Sequence, residues 1–329
     1  MTAKTFFKFI DYSMNPIQNI GYKSFVKKHN IDVTCDIVYD DEFPDVRRGD
    51  IYKKKEFSEK TTETDESAKA GGDEVATAGG DESAAKKLPV FINFHGGGFV
   101  AGDKRFRRYF SAFVASVGYA VFNVNYGVGP ENMFPFCLQS VAKAITWVAE
   151  NADKYNFDVS KVVLSGDSAG ANLAALGGVI TTVDGFAESI DAQKPPIKPA
   201  GLMLYCGPYD MDVALNTKAP FDLVNKMMLE MTGYSKENIY DNKYINEFSP
   251  LSYITSEYPK TFLVYSLKDI FCKHHGEILE EKLKKEHIEV ESFHSTTLLD
   301  NHCFHLNHSF KAAKLVLNKS KDFLEEIIK

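Results

Sequence analysis

The sequence predicts an α/β fold, a mostly parallel sheet covered by helices on both faces. Three observations predict it. Short apolar runs without polar alternation recur along the chain, as strands buried on both faces require. Stretches with helical spacing separate those runs, which is how parallel strands are connected. Two of the runs lead directly into glycine-rich turns, the punctuation expected at the ends of buried strands.

The chain has 329 residues, of which 44% are hydrophobic, enough to bury a substantial core in one domain spanning 1–329. A formal net charge of −7 argues against a nucleic-acid partner, because no basic surface is implied. Five cysteines, Cys35, Cys137, Cys206, Cys272 and Cys303, lie dispersed without CxxC spacing. Such an odd, scattered set reads as free thiols in a reducing compartment. Lys8 interrupts the apolar run from Phe6 to Ile10, which is too short for a signal segment or a membrane span. The expectation is a soluble, cytoplasmic protein, and a homodimer is compatible with it.

From the amino terminus, a helix precedes strands at 33–38 and 49–52. Residues 53–87 are almost entirely polar or small, and Ala-Gly-Gly-Asp-Glu occurs twice, starting at Ala70 and Ala78. Burial there cannot offset the entropy of ordering, so a disordered surface insertion between two neighbouring strands is expected. Buried strands follow at Leu88–Phe94, 120–125, 161–165, Gly201–Tyr205 and Thr261–Ser266, with helices at 107–116, 139–151 and 171–183. The helix at 139–151 places Val141, Ala144, Ile145 and Val148 on one face. Residues 208–253 break the alternation with a Met-rich helical stretch and several aromatics. That segment is too long for a simple connection and reads as an inserted cap.

The strand at 161–165 runs into Gly166-Asp167-Ser168-Ala169-Gly170 and then a helix of small residues. This is the G-x-S-x-G nucleophile elbow in its strand-turn-helix setting. Gly166 and Gly170 suit a turn too sharp for a Cβ, and the following helix points its N–H groups at the serine. Upstream, the strand ending at Phe94 leads into His95-Gly96-Gly97-Gly98. A run of glycines lets backbone N–H groups approach the tetrahedral oxyanion that acyl transfer needs, and the N–H after the nucleophile, that of Ala169, adds another.

A nucleophilic serine needs a base, and the base needs an orienting carboxylate. Asp269 follows the strand Thr261–Ser266, where such an acid belongs, whereas its competitor Asp300 follows no strand of its own. His302 lies in a loop-like stretch before an amphipathic final helix, suited to presenting an imidazole. His302, His305 and His308 could suggest a metal site, but at that spacing they drift around a helix and no carboxylate completes a zinc pattern. No metal and no cofactor are expected. His274, His275, His287 and His294 read as surface or packing residues.

The stretches 90–175 and 249–304 together resemble the hormone-sensitive-lipase-like carboxylesterases of the α/β-hydrolase fold. Gly166-Asp167-Ser168-Ala169-Gly170 is similar to their GDSAG elbow, and His95-Gly96-Gly97-Gly98 to their HGGG loop. Pro130-Glu131-Asn132, Ser249-Pro250-Leu251 and His302-Cys303-Phe304 resemble further motifs of that group. The sequence departs from the group at Gly127-Val128, Ser140 and Ala171. The resemblance implies an eight-stranded sheet with a helical cap built from residues 1–30 and 208–253. It implies Ser168, Asp269 and His302 as the catalytic set, with Gly97, Gly98 and Ala169 as oxyanion donors. The implied substrate is a small-molecule ester of a short to medium acid. A carbohydrate acetyl esterase, a peptidase or acyltransferase, and a non-catalytic binder of small molecules are the competing readings.

Overall fold

A computed structural model of the chain describes residues 1–57 and 87–329. The sheet has eight strands: β1 (Ile31–Val38), β2 (Arg48–Lys54), β3 (Leu88–Phe94), β4 (Ala120–Val124), β5 (Phe157–Asp167), β6 (Gly201–Tyr205), β7 (Thr261–Ser266) and β8 (Val290–Ser295). Their order is β1-β2-β4-β3-β5-β6-β7-β8. The pairs β1/β2 and β2/β4 are antiparallel, and the rest are parallel.

The central strands are buried along their whole length, which is why their sequences carry no polar alternation. Alternation survives in the side to which each residue turns. From β3, Val90, Ile92 and Phe94 join a core cluster shared with the helices Phe136–Glu150 and Ala169–Thr182. Phe91 joins the opposite cluster, shared with the helices Arg108–Val117 and Lys311–Ile328. Helices therefore cover both faces, as the sequence predicts.

Several boundaries differ from expectation. The helix at 136–150 begins before 139, and β5 begins well before 161, on residues that are partly exposed. Residues 53–57, expected to belong to the insertion, complete β2 and a short 3-10 turn, Lys55–Phe57. The rest of the expected disordered insertion lies outside the described residues. Its flanking strands β2 and β3 are not neighbours, because β4 is inserted between them. Strand β8 and the helix His275–Lys285 have no counterpart among the elements read from the sequence. As an edge strand, β8 is half exposed and mixes Glu, Ser and His with Val and Phe.

The amino-terminal helix Ala3–Gln18 lies over the carboxyl ends of the strands together with helix Leu223–Thr232, from the segment expected to form the cap. One carboxylate joins them. Glu230 accepts hydrogen bonds from the backbone N–H groups of Ala3 (2.7 Å) and Lys4 (2.8 Å), at the positive end of the helix dipole. Among the described residues, no helix is long and apolar enough to cross a membrane.

Candidate active site

Three strand ends build the site. At the end of β5 the chain turns through Ser168, which holds φ 53° and ψ −122°, a conformation that costs a non-glycine residue strain. The turn is closed from both sides. A Cβ on Gly166 would lie 2.2 Å from the Gly170 carbonyl oxygen, and one on Gly170 would lie 2.0 Å from that of Phe94. Only glycine fits at either place. The Ser168 N–H donates to the Tyr205 carbonyl at 2.8 Å, tying the turn to β6. The helix Ala169–Thr182 then begins directly under the serine.

Ser168, Asp269 and His302 meet. His302 Nε2 lies 2.9 Å from Ser168 Oγ, and its Nδ1 lies 2.8 Å from Asp269 Oδ2. Asp269, beyond the end of β7, also accepts the N–H groups of Phe271 and Cys272, each at 2.8 Å. Burial pushes its carboxyl up, yet His302 and those two amides outweigh burial and hold it below the ordinary carboxylate range. The acid is therefore ionised, oriented, and able to fix the tautomer that leaves Nε2 facing the serine.

The loop after β3 faces the serine from the other side. Gly97 has φ 135° and Gly98 φ 61°. Among the described residues, no acceptor lies against the N–H groups of Gly97, Gly98 or Ala169. Phe7 of the amino-terminal helix closes over Gly98, where a Cβ would come within 2.3 Å of its ring. His95 is buried and stacks on Tyr126 at 4.4 Å; burial lowers its imidazole pKa and keeps it neutral. The Tyr126 hydroxyl donates to the His95 carbonyl at 2.7 Å, bracing the loop. Gly96 lies against Asp167, where a Cβ would meet Oδ2 at 2.5 Å.

Asp167 itself is buried in a two-pronged ion pair with Arg107, from the turn Lys104–Arg107. Burial raises its carboxyl, and the guanidinium more than reverses that. The pair anchors the elbow beneath the serine. Nothing local in the sequence marks Arg107 as the partner; the only signal is that a buried acid at that place in the elbow must find a cation.

The remaining candidates separate. Asp300 accepts hydrogen bonds from the Ser295 and Thr297 hydroxyls and does not reach the imidazole site. His305 stacks on Tyr205 at 4.3 Å and His308 packs on Tyr109 at 4.1 Å, so the three carboxy-terminal histidines do not converge. Among the described residues, Asp269, Cys272 and His302 are grouped closely enough to hold a metal ion. The carboxylate and imidazole of that group are already bonded to one another.

Two recesses meet at Ser168. One is small and apolar, with about 40 Å³ of free space among Phe7, Leu223, Val224, Met227 and Phe248. The other is a cleft of about 330 Å³ that also holds His302, Asp11 and Arg107.

Comparisons with known proteins agree with this architecture. The chain is similar to esterase LipQ of Mycobacterium tuberculosis, 28% identical over 197 residues, or 56% of this chain and 42% of that protein. It is also similar to lipase 2 of Moraxella sp., 44% identical over 88 residues, or 26% of this chain and 20% of that protein. The chain thus spans less than half the length of these two curated relatives. In three dimensions it is similar to esterase B of Lactobacillus rhamnosis, crystallised as a tributyrin phosphonate-inhibited enzyme. That match has a TM-score of 0.71 at 15% identity and covers 98% of this chain and 95% of the other. Likeness over so much of both chains gives the α/β-hydrolase fold. The family described as BD-FAE matches residues 80–283, which is more than half of the sequence and includes the glycine loop, the elbow and Asp269; the chain belongs to that family.

Proposed function

We propose that the chain hydrolyses carboxylic esters of short acyl groups through an acyl-enzyme on Ser168. The observation that carries this reading is the unbroken hydrogen-bond chain from Ser168 through His302 to Asp269. His302 Nε2 takes the hydroxyl proton as Oγ attacks the ester carbonyl, and Asp269 stabilises the imidazolium. The oxyanion is received by the free N–H groups of Gly97, Gly98 and Ala169; one such donor is worth about 2.7–4 kcal/mol in the transition state. His302 then returns the proton to the leaving alcohol, and water activated by the same imidazole releases the acid.

Because His302 serves the leaving oxygen, the alcohol occupies the cleft that holds His302, and the acyl group occupies the apolar recess. The size of that recess suits an acetyl or similarly short acyl group. The five cysteines, all unpaired, suit a reducing compartment and support a cytoplasmic location.

Ser168→Ala is expected to abolish hydrolysis of p-nitrophenyl acetate and labelling by a fluorophosphonate probe. More than a trace of either in the variant overturns the assignment.

A further inference from the structure

Helix Ala3–Gln18 treats its side chains in an inverted way. Phe9 and Tyr12 are 69% and 58% exposed, while Asp11, the sole acid of the helix, is only 8% exposed. A buried carboxyl without a partner is costly. Yet Asp11 Oδ2 has no hydrogen-bond partner among the described residues. The residue lines the same cleft as Ser168 and His302. Resting on the hydrolase reading above, we propose that Asp11 forms a subsite binding a hydroxyl group of the ester's alcohol moiety.

The surroundings select that ligand class. Asp103, Arg107 and Asp167 act on the Asp11 carboxyl, and His302 and Cys303 line the cleft beside it. Arg107 is the positive group there and is committed to Asp167 and to the Gln18 side-chain oxygen at 3.2 Å. Its charge is already taken up by Asp167, so no free cation awaits an anionic ligand. An apolar alcohol leaves Oδ2 as unsatisfied as before. A hydroxyl does not, because it donates to a carboxylate and accepts from a carboxylic acid. Burial, opposed by Arg107 and reinforced by Asp167 and Asp103, raises the Asp11 carboxyl to about 7, so both forms are present near neutrality. The alcohol departs from this cleft, so a hydroxyl held there lies on the leaving group and not on the acid.

The test is the ratio of kcat/KM for glyceryl monoacetate to that for n-propyl acetate, in the full chain and in Asp11→Leu and Asp11→Asn. Asp11→Leu is expected to lower the ratio about tenfold or more, chiefly through KM of the glyceryl ester, the worth of one hydrogen bond to a charged group. Asp11→Asn, which keeps a donor and an acceptor, is expected to restore most of it. A ratio unmoved in both variants overturns the subsite, whether the two rates fall together or not at all. So does an Asp11-dependent preference for acetylcholine over glyceryl monoacetate, which marks a cation site. If the unaltered chain hydrolyses none of these esters and Ser168 takes no fluorophosphonate, the hydrolase reading fails and the subsite fails with it.

Discussion

The strand-end loop at 269–272 and the amino-terminal helix each bring a buried carboxyl to one cleft, and they treat it in opposite ways. Asp269 receives two backbone amides and an imidazole, and its carboxyl is held down despite burial. Asp11 receives no hydrogen bond at Oδ2, and burial lifts its carboxyl to about 7. Burial is common to both; the His302 imidazole and the two amides reverse it at Asp269, and Arg107 does not reverse it at Asp11. A loop can curl its own N–H groups around an oxygen. A helix cannot, because its N–H groups are spent on its own carbonyls. A carboxyl on a helix face is therefore left unsatisfied at Oδ2, whereas one in such a loop is already satisfied.

The sharpest way to break this contrast is Asp269→Asn. The amide oxygen still accepts from Phe271 and Cys272, so the fold is retained, but the imidazole loses its anionic partner and the right tautomer. The expected outcome is a loss of about 10⁴ in kcat on p-nitrophenyl acetate. A loss below tenfold removes Asp269 from the role that its hydrogen bonds support.

Stability should respond to the two acids with opposite signs. The folded chain binds the Asp11 proton more tightly than the unfolded chain does. Its contribution is fully present below the ordinary aspartate pKa, about 3.9, and is lost as pH rises through about 7. Asp269 is depressed, so its contribution is present above the ordinary value and lost as pH falls. Asp11→Asn should therefore stabilise the chain by on the order of 4 kcal/mol at about pH 8 and by little at about pH 4, measured by thermal unfolding. A gain equal at both pH values contradicts the contrast. A residue that weakens the fold at neutral pH is the kind retained for activity.

A smaller effect is expected where the helix itself is held. Glu230→Gln keeps the geometry toward the Ala3 and Lys4 amides and removes the charge, at a cost of about 1 kcal/mol. Limited proteolysis should then cut the amino-terminal helix sooner. Unchanged cleavage shows that apolar packing, such as Phe7 against Gly98 and Phe271, holds the helix without help from the charge.

How much was legible depended on where each constraint acts. Strands β3, β6 and β7 match their expected limits, because a doubly buried strand must be apolar along its whole length. Edge strand β8 escaped notice for the opposite reason, since its half-exposed residues need no such pattern. The approach of His302 to Asp269 spans 33 positions and was anticipated through chain order and motif. The Arg107–Asp167 pair spans 60 and the Glu230–Ala3 link 227, and neither leaves a local trace.

By itself, then, the sequence determined the α/β alternation, the elbow around Ser168 and the glycine loop, because these are demands that local backbone geometry places on residue type. A turn that admits no Cβ at Gly166 or Gly170 announces itself in five residues. Only the tertiary structure decided which cation steadies Asp167, how the amino-terminal helix is joined to helix Leu223–Thr232, and that Asp11 lines the cleft. Those depend on the solvent and charge that distant segments bring or remove, and no run of neighbouring residues encodes them.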